Sequence, residues 1–102
     1  MAGTIAVTPD TRWSAATWLF DWIVMFLADH VEEPKLQAAL REIVDENLGW
    51  LRLSDFGPEA ERELRNLLGT RLVGEADSTF SETMPNRADA IAYLQQLADD
   101  VS

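Results

Sequence analysis

The sequence predicts an all-α domain: a compact bundle of about four helices with a minor two-strand pairing at most. Three observations lead there. Apolar residues recur at helical spacing in four separate stretches. Glycine and proline sit at the ends of those stretches or between them, where helices start and stop. The chain of 102 residues, 47% hydrophobic, suits one domain over 1–102 with a single core.

Residues 1–10 read as a short extended arm that Pro9 stops. Asp10 or Thr11 then offers a side-chain oxygen to the free N–H groups of a first helix, expected over 13–30. Within it, WLFDWIVMFLA places ten apolar residues around one charge, Asp21. With residues about 100° apart, Ser14, Thr17, Asp21 and Ala28 fall in one narrow stripe. Trp13, Phe20, Val24 and Leu27 lie to one side. Leu19, Ile23 and Phe26 continue that surface, and Trp18, Trp22 and Met25 complete it on the far side. Asp21 can therefore face water instead of serving as a buried acid. The apolar surface is wider than the stripe of an ordinary surface helix. Such a helix is either central to the fold or covered by a second chain.

Glu33-Pro34 opens a second helix, because proline at the first helical position has no N–H to leave unpaired. Leu36, Ala39, Leu40, Ile43, Val44 and Leu48 form its apolar face, and Gly49 is its natural stop. The short connection predicts antiparallel packing on the first helix. Trp50-Leu51-Arg52-Leu53 reads as extended, with Arg71-Leu72-Val73 as its candidate strand partner. Ser54 or Asp55 and Gly57-Pro58-Glu59 announce a third helix, with Ala60, Leu64, Leu67 and Leu68 inward and Gly69 at its end. Glu59, Glu61 and Glu63 suit the positive end of its dipole. Residues 74–85, GEADSTFSETMP, read as the one long loop. Asn86 caps the last helix, with Asp89 in a capping-box position and Ile91, Leu94, Leu97, Ala98 and Val101 inward.

The chemistry-bearing residues are sparse. There is no cysteine, which excludes thiol catalysis and thiolate metal sites and fits a cytoplasmic location. MAGTIAVTPDTRW lacks a basic segment followed by an apolar run, so no secretory leader is expected. The apolar stretch 13–28 is too short for a bilayer and holds Asp21. One histidine, His30, stands in Asp29-His30-Val31-Glu32-Glu33. Asp29, His30 and Glu33 make a weak metal set, because Pro34 interrupts the helix there and no second histidine exists. The serines at 14, 54, 78, 81 and 102 lie in caps, loops or the tail, and no Gly-x-Ser-x-Gly occurs. No phosphate-binding glycine loop is present. The expectation is a non-enzyme without metal or cofactor.

Charge narrows the partner. Eighteen acids against eight bases give a net charge of −10. Such a chain repels nucleic acid and anionic membranes and favours basic proteins. Four tryptophans are a large supply of interface anchors. The expected contact residues are Trp18 and Trp22 as anchors, with Asp29, Glu32, Glu33, Asp45 and Glu46 as steering carboxylates. A homodimer pairing through the helix 13–30 is the alternative.

LRLSDFGPEAERELRNLLG (residues 51–69), preceded by a Trp-rich helix and a second amphipathic helix, resembles the small helical immunity proteins of bacteria in pattern over about residues 13–69. The resemblance implies a short, acidic, non-enzymatic inhibitor of a basic toxin. No motif carries a binding site over residue by residue.

Overall fold

A computed structural model describes residues 2–101. Its elements run β1 (Ala2–Ala6), β2 (Arg12–Ala16), α1 (Thr17–His30), α2 (Pro34–Asp45), β3 (Trp50–Arg52), α3 (Pro58–Thr70), α4 (Leu72–Thr79) and α5 (Arg87–Val101), with a 3₁₀ turn over Leu53–Phe56. Among the described residues, five α-helices and a three-stranded sheet replace the expected bundle of about four helices with at most a minor two-strand pairing, so the fold is mixed α/β.

The sheet has the order β2-β1-β3. β1 and β2 form an antiparallel hairpin with Ile5 opposite Trp13, and β3 lies parallel to β1 with Leu51 beside Ile5. Side chains alternate across a sheet. Gly3, Ile5, Trp13, Ala15 and Leu51 thus face the core and are buried. Thr4, Ala6, Arg12, Ser14, Trp50 and Arg52 share the outer face. The hairpin turn is built locally: Val7 N–H donates to the Thr11 carbonyl at 2.9 Å, and the Thr8 hydroxyl oxygen accepts from Thr11 N–H at 3.0 Å.

Residues 13–16 are therefore strand, not helix. Ala15 and Ala16 favour helix intrinsically, but pairing with β1 outweighs a preference worth only a few tenths of a kcal/mol per residue. Arg12 to Ala16 alternates exposed and buried, the period-two signature of a half-covered strand. The helix begins at Thr17 after Ala16, without a side-chain cap from Asp10 or Thr11.

α1 packs on the sheet and against both α2 and α3, which makes it central. Phe20, Ile23, Val24, Leu27 and Ala28 are fully enclosed. Each large member contributes about 1.5–3 kcal/mol of burial free energy. The closest approach is at Gly3: a Cβ there would stand 2.1 Å from Phe20 Cγ. Glycine lets α1 lie directly on β1.

The three-residue turn 31–33 folds α2 back along α1. Gln37 Nε2 donates to the Val31 carbonyl at 2.7 Å and braces that turn. α2 ends earlier than expected, at Asp45, because Asn47 takes a left-handed φ of 52° before Gly49 does the same at 65°. Leu48 falls outside the helix and is 57% exposed, a correction to its place on the apolar face.

Trp50–Arg52 is a strand as expected, but its partner is β1. Leu72 and Val73 belong instead to α4, which starts where the chain bends at Arg71 (φ −122°, ψ −22°). α3 runs through Gly69, its expected end, to Thr70. Half of the expected loop 74–85 is therefore helical. Ser78 is tied back to the Gly74 carbonyl at 3.1 Å, and Leu72 and Ala76 are buried against the rest. α5 follows from Arg87, with Leu94 and Leu97 fully enclosed. Trp13 joins the two halves: its buried indole N–H donates to the Tyr93 carbonyl of α5 at 3.0 Å.

Replacing Gly3 by alanine is expected to cost about 1–3 kcal/mol by overpacking against Phe20. Gly74→Ala, in a helix with open space around it, should stabilise by about 0.5–1 kcal/mol. Urea unfolding midpoints of the two variants should move in opposite directions.

Candidate functional site

Three residues of α1 keep apolar surface outside the core. Trp18 is 49% exposed and Met25 36%, with Trp22 half-buried between them. Spacings of four and three put all three on one side of the helix. Phe20, the residue that meets the sheet, lies on the opposite side. Asp21 flanks this strip and is half-buried, so the wet placement read from the sequence is met in part.

An aromatic ladder supports the strip. Phe80 lies 4.9 Å from Trp22 and 5.9 Å from Trp18, centroid to centroid. Trp22 stacks on Phe26 at 5.9 Å with 16° between planes, and Phe26 meets His30 at 4.4 Å. Neighbouring rings at these separations add about 0.5–1.5 kcal/mol per pair beyond burial. His30 Nδ1 is 2.8 Å from the Phe26 carbonyl. A carbonyl only accepts, so Nδ1 carries the hydrogen and the ring is locked in place. His30 thus closes the ladder.

Between α1 and α4 the ladder borders a shallow open groove of about 270 Å³. Its lining includes Trp22, Met25, Phe26, Asp29, Glu75 and Thr79. The α1 lip carries Asp29 and the α4 lip Glu75, both exposed. Asp29 stands 3.7 Å from Arg41 of α2. With both partners more than half exposed, that pair holds the carboxylate only weakly.

Phe80 is positioned from both sides. Its N–H donates to the Ala76 carbonyl at 2.8 Å, which ends α4. Arg87, at the start of α5, donates to the Phe80 carbonyl at 3.3 Å, to the Asp77 carbonyl at 2.9 Å and to Asp77 Oδ1 at 2.8 Å. One guanidinium thus spans the 80–86 connection.

The structure brings only some of the expected contact residues together. Trp18, Trp22 and Asp29 share the strip. Glu32 and Glu33 are exposed in the turn just beyond His30. Asp45 and Glu46 are exposed at the other end of α2, about 18 Å along that helix from Pro34. They belong to a different part of the surface. Met25, Glu75 and Phe80 were missed. Met25 had been assigned to the apolar face as a whole, and the other two lay in the supposed loop. Four apolar or small residues (Leu72, Val73, Ala76, Phe80) at helical spacing were the available signal for α4.

Among the described residues no group of three or more His, Asp or Glu side chains converges as a metal site, and none of the polar or charged side chains is buried. No helix among them is long and apolar enough to cross a membrane. Comparison with protein-family models, curated proteins and solved structures finds no match for this chain.

Removing the Arg87 clamp by Arg87→Ala should raise hydrogen exchange of the amides over 80–86 by about tenfold, the effect of losing roughly 1–1.5 kcal/mol of hydrogen bonding. Asp77→Ala should do far less, because Asp77 contributes only an exposed ion pair while its carbonyl remains. Unchanged exchange in Arg87→Ala would show that Phe80 alone holds the connection.

Proposed function

We propose that this protein is a non-catalytic binding module that seats a basic protein on the groove between α1 and α4, in the manner of a cytoplasmic immunity or antitoxin-like inhibitor. One observation carries the reading: a helix otherwise enclosed by its own chain leaves Trp18 and Met25 outside, over a braced aromatic ladder, with a carboxylate on each lip.

Each part has a physical role. Tryptophan and methionine give large contact areas at modest entropic cost, and tryptophan is among the commonest interface anchors. The ladder beneath holds Trp18 and Trp22 before a partner arrives, which removes part of the cost of ordering them on binding. The net charge of −10 draws a basic partner in and repels polyanions. Glu32 and Glu33 extend the negative field past His30. Asp45 and Glu46 add to long-range steering only. Pairing of two copies through the same strip would set −10 against −10, which opposes the homodimer.

The first partner to test is any basic toxin whose gene is found to neighbour this one. Calorimetric titration with it should give a Kd that Trp18→Ala raises by about 30-fold, a loss of about 2 kcal/mol. Raising salt from about 0.05 to about 0.5 M should slow association by tenfold or more. Equal binding by Trp18→Ala, or association indifferent to salt, would overturn the reading. Sedimentation should show a concentration-independent monomer. A dimer that Trp18→Ala dissolves would assign the strip to self-pairing instead.

A further inference from the structure

The outer face of the sheet carries a second site of opposite charge. Arg12 of β2 and Arg52 of β3 pair in register with the same residue of β1, Ala6. Paired residues on adjacent strands project to the same face, so the two arginines flank the small Ala6 side chain. Trp50, two residues before Arg52, rises on that same face. The guanidinium carbons of Arg12 and Arg52 lie 5.3 and 5.7 Å from the centre of its ring. Two cations thus share one aromatic ring.

A cleft of about 580 Å³ opens here, bounded by the β1–β2 turn at Thr8 and Pro9, by Ser54 and by α3. α3 contributes Arg65, which pairs with Glu61 at 2.9 Å and donates to the Val7 carbonyl. Three of the chain's seven arginines therefore line one cleft. Among the described residues its only carboxylate, Glu61, is engaged by Arg65. Neither Arg12 nor Arg52 forms an ion pair with a described carboxylate. In a chain with 18 acids, two arginines left uncompensated on one ring are a focused positive site.

The geometry points to this cleft as a binding site for the phosphate monoester group of a small molecule. Two uncompensated guanidiniums match a group of charge near −2, whereas a monocarboxylate would satisfy one of them. Guanidinium forks suit phosphate oxygens, and the Trp50 ring keeps both guanidiniums at the cleft by cation–π attraction. The Ser54 hydroxyl on the rim supplies a neutral donor. The volume is that of a small-molecule site. The surrounding charge of −10 excludes a polyanion as the occupant. The cleft lies on the outer face of the sheet and the α1 groove on the far side of α1, so the two sites are independent.

The test is a titration of the ¹⁵N-labelled full chain with glycerol phosphate at constant ionic strength, followed at the Trp50 indole and the arginine Nε–H signals. Sodium chloride and succinate serve as the other arms. Glycerol phosphate should give saturable shifts with a Kd on the order of millimolar. Arg12→Gln and Arg52→Gln should each weaken binding by about tenfold or more. Arg71→Gln, on an exposed arginine outside the cleft, should bind as the parent does. Retained dispersion of the spectra controls for folding. Shifts that stay linear, a response to chloride or succinate equal to that to glycerol phosphate, or unchanged affinity in both cleft variants would overturn the assignment.

Discussion

The contact between Phe20 and the bare backbone of Gly3 sets the geometry of this fold. A helix that is apolar on most of its circumference must be enclosed on most of its circumference. The sheet supplies one wall only because residue 3 has no side chain, which brings α1 onto β1. From that contact the other walls follow. α2 folds back along α1 through a three-residue turn, and α3 closes on it from another direction. β3 then adds to the free edge of β1, and its Leu51 joins Ile5 and Trp13 in the floor beneath α1. The strip at Trp18, Trp22 and Met25 is what remains on the side opposite Phe20. It is partly closed by a single ring, Phe80, which the short helix α4 and Arg87 deliver.

The interior parts were legible in the sequence and the short strands were not. α2, α3 and α5 each carry an apolar face at helical spacing, with proline at or next to the start of two of them. Leu36, Leu40, Ile43, Leu64, Leu67, Leu68, Leu94, Leu97, Ala98 and Val101 are buried as the pattern demands, while Ala39, Val44, Ala60 and Ile91 are only partly so and Leu48 lies outside. β1 and β2 are five residues each, and apart from Ile5 and Trp13 their apolar members are small. Ala2, Ala6, Ala15 and Ala16 say little about period, so Trp13 could be fitted to the helical wheel that begins four residues later. The turn signal Thr8-Pro9-Asp10 between a Thr4-Ile5 stretch and Arg12-Trp13-Ser14 was the available hairpin cue. β3 was read as extended, but its true partner lies 46 positions upstream in register, and nothing local specifies a parallel pairing over that distance. α4 failed for the complementary reason. It is eight residues long and rich in residues that favour loops, and it is held by the burial of Leu72 and Ala76.

The site divides along the same line. Trp18, Trp22 and Asp29 lie together because they belong to one helix, whose spacing alone puts them on one side. Glu75 and Phe80 come from another element, and Arg12 meets Arg52 only through β1. Residues joined by tertiary structure leave no mark in linear spacing. Net charge also says nothing of where charges gather. A chain of net charge −10 invites an exclusively cationic partner, while the fold gathers three of seven arginines at one place.

That segregation follows from the topology. The groove lies on the side of α1 turned away from Phe20, and the arginine cleft lies on the side of the sheet turned away from α1. A helix and a strand layer therefore stand between them, about 10 Å for each packed layer. At physiological ionic strength the Debye length is about 8 Å, so each site acts on its surroundings with little cancellation from the other. Were Arg12 and Arg52 placed beside Asp29 or Glu75, the opposite charges would pair and neither charged surface would remain. The sheet, which the helical periodicity did not foresee, is the element that keeps an acidic aromatic surface and a basic cleft apart on one small chain.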